Sequence, residues 1–383
     1  MSPDTHFVRA SILATKRLIG SLLLLCAAAL FTWPATAGPD ILYVGDATGP
    51  DPFATPGTNR IHRLDADTGA IIPGGNPAGV YLAEGSNGLD GPRGIIQLRD
   101  SLLVGSQNIT KTNIPGQILR YKVSDGRRDG AFVPSGDDSP FTPDGIISWR
   151  GVVYASDISI FDEPDENLPP GRLLAYDATS GKLLREFNPN TFPSNFPFPI
   201  NFHPRGLVIG PNGLLYVASL PDVRPGPAIR LGGQILVFDP ETFDFLGVFI
   251  NDLNGSGEVG HLNRPDALVF GPDGNLYVTS FRASLADTDS IRIYDGHTGV
   301  FLDKIDLYTP PAPRAFAQGI LFGPGGKLFV PISGGNATTA GRIRKYDVQT
   351  KSFEIFAEIP TSQQLWYLTF GKTNPGTLAY EGK

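Results

Sequence analysis
One recurring clause constrains this chain more than any other feature. It reads PRGLVIGPNGLLYVAS from Pro204, PDALVFGPDGNLYVTS from Pro265 and AQGILFGPGGKLFVPI from Ala317, and looser copies bring the count to six. A second clause follows each: GQILVFDPETFDFLGVF from Gly233, SIRIYDGHTGVFLDKI from Ser290, GRIRKYDVQTKSFEIF from Gly341. Each clause is a strand, a tight turn and a strand, so the unit is a pair of hairpins recurring about every 50–60 residues. Such a unit buries its sheet only by stacking on its neighbours, and four short strands per repeat predict the blades of a β-propeller.

The first strands of the repeats fall at Gly94–Leu98, Gly145–Ser148, Gly206–Ile209, Ala267–Phe270, Gly319–Phe322 and Tyr367–Phe370. Second strands begin at Leu102, Val152, Leu215, Leu276 and Leu328. Their β-branched and aromatic content suits sheets buried on both faces. The turns between them carry Gly210–Gly213, Gly271–Gly274 and Gly323–Gly326, where Pro presets one dihedral and Gly supplies a positive φ. Third strands end on an aromatic and Asp, as in Tyr176-Asp177, Phe238-Asp239, Tyr294-Asp295 and Tyr346-Asp347. Turns such as Asp65–Gly69 and Asp295–Gly299 follow, and their carboxylates are expected to cap the turn rather than bind metal. The strand from Ile41 is of the second type, and its missing first strand comes only at Leu365–Gly371. The prediction is therefore an all-β, six-bladed β-propeller of four-stranded antiparallel blades, its ring closed by the C-terminal strand so that no edge stays open. The segment GTLAYEG from Gly376 leaves seven blades as the alternative.

Arg9, Lys16 and Arg17 precede the apolar run Leu18–Trp33, and Ala35-Thr36-Ala37 fits a cleavage site. Residues 1–37 are expected to be a signal peptide and 38–383 a single propeller domain, secreted or periplasmic, with no stable membrane insertion after cleavage. Cys26 follows Leu25, too large for a lipoprotein site, and beyond residue 37 there is neither Cys nor Met. Disulfides are excluded there, so stability has to come from packing. Without the leader's three basic residues and Asp4, 28 Lys and Arg face 37 Asp and Glu, a net charge of −9. A mildly acidic chain without a basic run argues against nucleic acid and anionic membranes as partners. No Ser/His/Asp motif, zinc spacing, phosphate loop or dinucleotide fingerprint occurs in the sequence, and a monomer is expected.

The clause Pro-x-Gly, three apolar residues, Gly-Pro-[Asp/Asn]-Gly-x-Leu-Tyr-Val resembles that of NHL-type and SMP-30/gluconolactonase-like propellers, a group that includes streptogramin-lyase-like proteins. The resemblance spans nearly all of residues 38–383. It implies the propeller fold, and either a binding role or a hydrolase or lyase acting at the tunnel mouth; it does not choose between them. SMP-30-like enzymes hold a divalent metal through Glu, Asn and Asp. Asp144 and Asp266 match the family's Asp position, whereas Arg93 and Arg205 stand where it has Asn, and a guanidinium cannot ligate a metal. Metal ligands therefore stay unknown and no cofactor is required, although the acidic loop Asp157–Glu166 could hold Ca²⁺.

Long connections at Asp46–Thr58, Asp157–Pro170, Asn188–Pro204, Leu220–Gly232 and Asn251–Pro265 all belong to one face of a meandering propeller. That face is the expected surface for a small-molecule or protein ligand. The residues just before the first strands, Arg93, Asp144, Arg205, Asp266, Gln318 and Trp366, should ring the tunnel there. Two readings compete: a buried plug that satisfies its own charges, or a polar site where Arg93, Arg205, Gln318 and Trp366 hold an anionic ligand. His203 and His261, in loops on the same face, could act as general base beside Asp144 or Asp266. Whether the chain is an enzyme stays uncertain, with binding favoured over catalysis. The stretch Phe192–Pro199 is read as packing over the fourth blade or as an apolar lip.

Overall fold
A computed structural model of the chain describes residues 40–47, 59–73, 80–109, 114–158, 171–187, 189, 192, 202–220, 232–252, 261–284, 286–309, 314–334, 340–359 and 364–382. Their strands make six antiparallel sheets of four. Blade 1 contains β1 (Ile41–Asp46), β2 (Arg60–Asp65) and β3 (Val80–Leu82). Blade 2 is β4 (Pro92–Leu98), β5 (Ser101–Ser106), β6 (Gln117–Lys122) and β7 (Arg128–Val133). Blade 3 is β8 (Pro143–Trp149), β9 (Val152–Asp157), β10 (Arg172–Asp177) and β11 (Leu183–Phe187). Blade 4 is β12 (His203–Ile209), β13 (Leu215–Leu220), β14 (Gly233–Phe238) and β15 (Phe245–Asp252). Blade 5 is β16 (Leu268–Phe270), β17 (Leu276–Ser280), β18 (Ser290–Tyr294) and β19 (Phe301–Asp306). Blade 6 is β20 (Leu321–Phe322), β21 (Leu328–Ile332), β22 (Arg342–Tyr346) and β23 (Phe353–Glu358). Finally β24 (Leu365–Phe370) returns to complete blade 1, pairing Leu42 with Phe370 and Val44 with Leu368. The chain is a six-bladed β-propeller.

The recurring clause has a packing explanation. Apolar layers fill the spaces between successive blades, as where Ile147, Tyr154 and Leu173 of blade 3 meet Leu207, Val217 and Leu236 of blade 4. In blades 4, 5 and 6 the aromatic of the second strand meets the Phe ending the next inner strand edge to face. Ring centroids are 5.1 Å apart for Tyr216–Phe270 and 5.0 Å for both Tyr277–Phe322 and Phe329–Phe370. The Asn or Asp of the Gly-Pro-x-Gly turn reaches the same tyrosine: Asn212 Nδ2 donates to Tyr216 Oη at 3.0 Å, and Tyr277 Oη donates to Asp273 at 2.9 Å. The third-strand aspartates cap their turns as expected. Asp65 Oδ1 accepts from the backbone N–H of Thr68 at 2.8 Å and from its hydroxyl at 2.8 Å, and Asp295 does the same with Thr298. These bonds hold both carboxyls below the usual aspartate range.

The seven-blade alternative fails on the segment that prompted it. Residues 373–380 form a small turn of their own, with Thr373 bridging Tyr380, and add no strand to a blade. The carbonyls of Pro375 and Gly376 accept from the backbone of Ser148 and Ile209, on the inner strands of blades 3 and 4. Leu378 packs against three of the apolar layers and lines the central tunnel. The tail is an axial plug. The predicted loops at 48–58, 159–170, 193–201, 221–231 and 253–260 lie outside the described residues.

Candidate functional site
The innermost strands β24, β4, β8, β12, β16 and β20 surround the tunnel, and their local geometry explains why charged side chains gather there. In β4 the register jumps between Pro92 and Ile95, so Arg93 and Gly94 together oppose Gly105. The same bulge recurs at Asp144-Gly145, Arg205-Gly206 and Trp366-Tyr367. A bulge re-aims the side chain it carries. The glycine beside it answers to close backbone approach between blades: a Cβ on Gly94 would lie 2.5 Å from the Asp144 carbonyl oxygen, and one on Gly145 2.7 Å from that of Arg205. Thr279 Oγ1 performs a related task in blade 5, accepting from the N–H groups of Asp266 and Ala267 at 3.1 and 2.9 Å.

The result is a closed polar cycle. Tyr367, from blade 1, donates its hydroxyl to Asp144 Oδ1 at 2.5 Å and lies 3.0 Å from Asp266 Oδ1. Arg205, carried between those two aspartates on blade 4, presents Nη1 3.7 Å from Asp144 and 3.8 Å from Asp266. Arg93 lies over Trp366, its Cζ 3.8 Å from the ring centroid, and donates to the Pro92 carbonyl at 3.2 Å. Arg93, Asp144 and Asp266 are each only 1% exposed, and Gln318 and Trp366 are buried too. Below them the tunnel narrows to a cavity of about 50 Å³, lined by Gly94, Gly145, Gly206, Gly319, Tyr367 and Leu378 among others, room for a few waters.

Burial dominates the electrostatics. It pushes the Asp266 carboxyl up to about 7, with the neighbouring Asp144 adding to the rise and Arg205 opposing it. Burial lowers Arg93 to about 10, with Asp144 resisting the fall. The Tyr367 phenol is held well above its ordinary value, first by burial and then by the two aspartates. Asp266 therefore titrates around neutrality, while Arg93 stays charged there.

Five of the six residues expected at the axis are buried and Arg205 is partly exposed; four, Arg93, Asp144, Arg205 and Asp266, interact electrostatically. The histidines bond elsewhere: His203 Nδ1 lies 3.0 Å from the Ile158 carbonyl, and His261 Nδ1 lies 2.7 Å from Asp252. Asp157, the first residue of the acidic loop, accepts from the N–H groups of Phe141 and Thr142 and pairs with Arg172 at 2.7 Å. Phe192 sits among Phe187, Phe202 and Phe245, with centroids 4.9–5.5 Å away, which favours packing over an apolar lip. Among the described residues no three His, Cys, Asp or Glu side chains converge as metal ligands. The residue that sequence reading missed is Tyr367. Its signal was available: the position after each axial residue is Gly94, Gly145, Gly206, Ala267 and Gly319, and then Tyr367.

No protein-family model matches the chain, and no curated protein does. Solved structures do, 652 chains of them, so the likeness identifies a widespread architecture and not an activity. A chain of the nidogen/laminin complex is 14% identical, with a TM-score of 0.55 over 87% of this chain and 98% of that one. A 6-phosphogluconolactonase candidate from Bacteroides fragilis is 14% identical, with a TM-score of 0.49 over 88% of this chain and 99% of that one. The extracellular domain of a candidate hybrid two-component system from B. thetaiotaomicron is 12% identical, with a TM-score of 0.47 over 84% of this chain and 33% of that one. These neighbours carry the fold alone.

Proposed function
We propose that this chain is an exported, NHL-like binding propeller that takes a ligand or protein partner on its long-loop face, with the axis serving as an internal lock. The observation behind this reading is the Tyr367–Asp144–Arg205–Asp266 cycle. The phenol hydrogen-bonds both carboxyls, the guanidinium lies within ion-pairing distance of both, and the neighbouring cavity of about 50 Å³ holds only water-sized guests. A substrate would have to displace Tyr367 and break the cycle to reach either aspartate. Binding on the outer face needs no such step. One similar chain, that of the nidogen/laminin complex, belongs to a protein assembly. The reading includes cleavage after Ala37, a secreted or periplasmic location, a monomer, no obligatory cofactor and no nucleic-acid partner.

A hydrolase or lyase of the SMP-30 or streptogramin-lyase type is the second reading, and one observation favours it. A carboxyl that titrates near neutrality beside a phenol and an arginine is equipped to exchange protons with a substrate. One experiment separates the two. The purified protein and its Tyr367→Phe and Arg205→Ala variants are melted, then assayed against a panel of lactones and uronates with and without EDTA. A lock predicts that removing Arg205 leaves buried carboxyls unpaired and costs about 3–5 kcal/mol, with no turnover by any form. Turnover by the wild type that Tyr367→Phe abolishes without unfolding would replace the binding reading with the enzymatic one.

A further inference from the structure
Blades 5 and 6 meet, on the face of the long connections, at a second cluster of arginines. Arg264 enters blade 5 two residues before Asp266, and Arg314 enters blade 6 four residues before Gln318. Both stack on the ring of Phe281, from the β17–β18 connection: the Cζ of Arg314 is 4.8 Å from its centroid and that of Arg264 5.7 Å. Arg314 also covers Phe316 at 3.9 Å, and the two phenylalanines lie edge to face at 6.0 Å. Two cations thus share one aromatic surface.

The carboxylate nearby does not neutralise both. Asp289 is 1% exposed, and its oxygens accept from the backbone N–H groups of Arg282, Ala315 and Phe316 at 2.7–2.9 Å. Its ion pair runs to Arg314, at 3.5 Å. Asp289 therefore ties three loop amides and one arginine together. Arg264 donates to the Arg282 carbonyl at 3.1 Å, and among the described residues no carboxylate lies within ion-pairing distance of it. Its Nε is buried and meets no acceptor. The adjacent Asn263 is fully buried, and neither atom of its side-chain amide has a hydrogen-bond partner. Partial burial and the neighbouring Arg314 act against the charge on Arg264, and Asp289 opposes them only in part, so that it is lowered to about 10. An arginine kept charged among apolar rings, beside a second cation and with no carboxylate in direct contact, destabilises the fold that carries it. Sites that bind charged ligands have that property when empty.

We infer that Arg264, Arg314 and the Phe281–Phe316 pair form an anion-binding site at the blade 5–blade 6 junction, taking a compact oxyanion such as a phosphate, sulfate or carboxylate group. The phenylalanines fix the guanidinium planes, Arg264 supplies the unneutralised charge, and Asp289 holds the loops in place. This deepens the binding reading above by giving the long-loop face one site and a ligand chemistry, and it rests on that reading. No part of the axial cycle is involved.

The test is calorimetric titration of the purified protein with sodium phosphate at constant ionic strength, chloride serving as the exchanged anion. Saturable binding is expected. Arg264→Gln should weaken it at least tenfold while leaving the melting temperature unchanged or higher, because a like charge has been removed. Arg264→Lys should recover part of the affinity. Lys351→Gln, which removes a distant surface cation paired with Asp303, should change nothing. Phenyl phosphate binding as well as phosphate would mark the anion as the end group of a larger ligand, and its exclusion would mark the free ion; either result supports the site. Absence of saturable binding, or equal binding by wild type and Arg264→Gln, would overturn it. Partner binding elsewhere on the face would survive that outcome.

Discussion

Replacing Asp266 with Asn should flatten a stability curve that otherwise falls as pH rises. In the folded protein this carboxyl titrates at about 7, against 3.8 for an ordinary aspartate. Between those values the fold holds a proton that the unfolded chain has released. Stability is therefore greatest below the lower value, declines through the window and levels off above about 7. Three units at about 1.4 kcal/mol each give about 4 kcal/mol as the upper bound for the whole window. Across about pH 5 to 7.5, roughly 2–3 kcal/mol should be lost by the wild type alone. Asn keeps the shape and an acceptor oxygen for the Tyr367 hydroxyl, so the variant loses the titration and not the contact. Urea denaturation of both proteins at intervals from about pH 5 to about pH 8 measures the difference directly. Turn aspartates such as Asp65, Asp177 and Asp295 act in the opposite sense. Their depressed values mean stability present above the unfolded value and lost as pH falls through the folded one, outside this window. Parallel curves for the two proteins across the window would refute the proposal that burial and Asp144 keep Asp266 protonated.

Three further outcomes are expected. Gly94→Ala places a methyl 2.5 Å from the Asp144 carbonyl oxygen and should destabilise the fold by about 1–3 kcal/mol in urea melts, whereas Ala at exposed Gly136, where a Cβ meets nothing within 4 Å, should be close to neutral. Leu378→Ala should cost about 2 kcal/mol, and deleting residues 376–383 should lower the melting temperature further, because the segment lines the tunnel and its Gly376 carbonyl caps the backbone of Ile209 in blade 4. N-terminal sequencing of exported protein should begin at Gly38; recovery of residues 18–33 in a membrane fraction would contradict cleavage.

The architecture was legible because blades 4 to 6 repeat the same local solutions and the others keep enough of them to be aligned. Gly-Pro-x-Gly turns, tyrosines that stack on the next blade's phenylalanine and aspartates that cap their own turns are all encoded within a few residues. The predicted inner strands began at Gly94, Gly145 and Gly206, while the observed ones start at Pro92, Pro143 and His203. The difference is the bulge, which keeps pairing on both sides of a residue that does not pair. The axial ring was legible as a column in the repeat. The partners within it were not, since Tyr367 reaches Asp144 and Asp266 across the tunnel from a blade assembled out of both ends of the fold. The arginine cluster was invisible for a similar reason. Arg264, Phe281 and Arg314 stand in three separate connections, none part of the clause, and only the curvature of the ring brings them together.

Closing blade 1 with β24 also sets a timetable. The partners Leu42 and Phe370 belong to opposite ends of the fold, so β1 lacks its inner neighbour until residues 365–370 have been synthesised. The other five blades are made of consecutive strands and can form locally, but the axial cycle cannot, because its hydroxyl comes from Tyr367 on that same late strand. Contacts of such long range form slowly. A nascent chain is thus held short of its locked state for most of its synthesis, which is the condition a polypeptide must keep if it is to be threaded through a membrane before it folds. Once β24 is seated, the same seam is held by its pairing with β1, by the axial cycle and by the tail in the tunnel together.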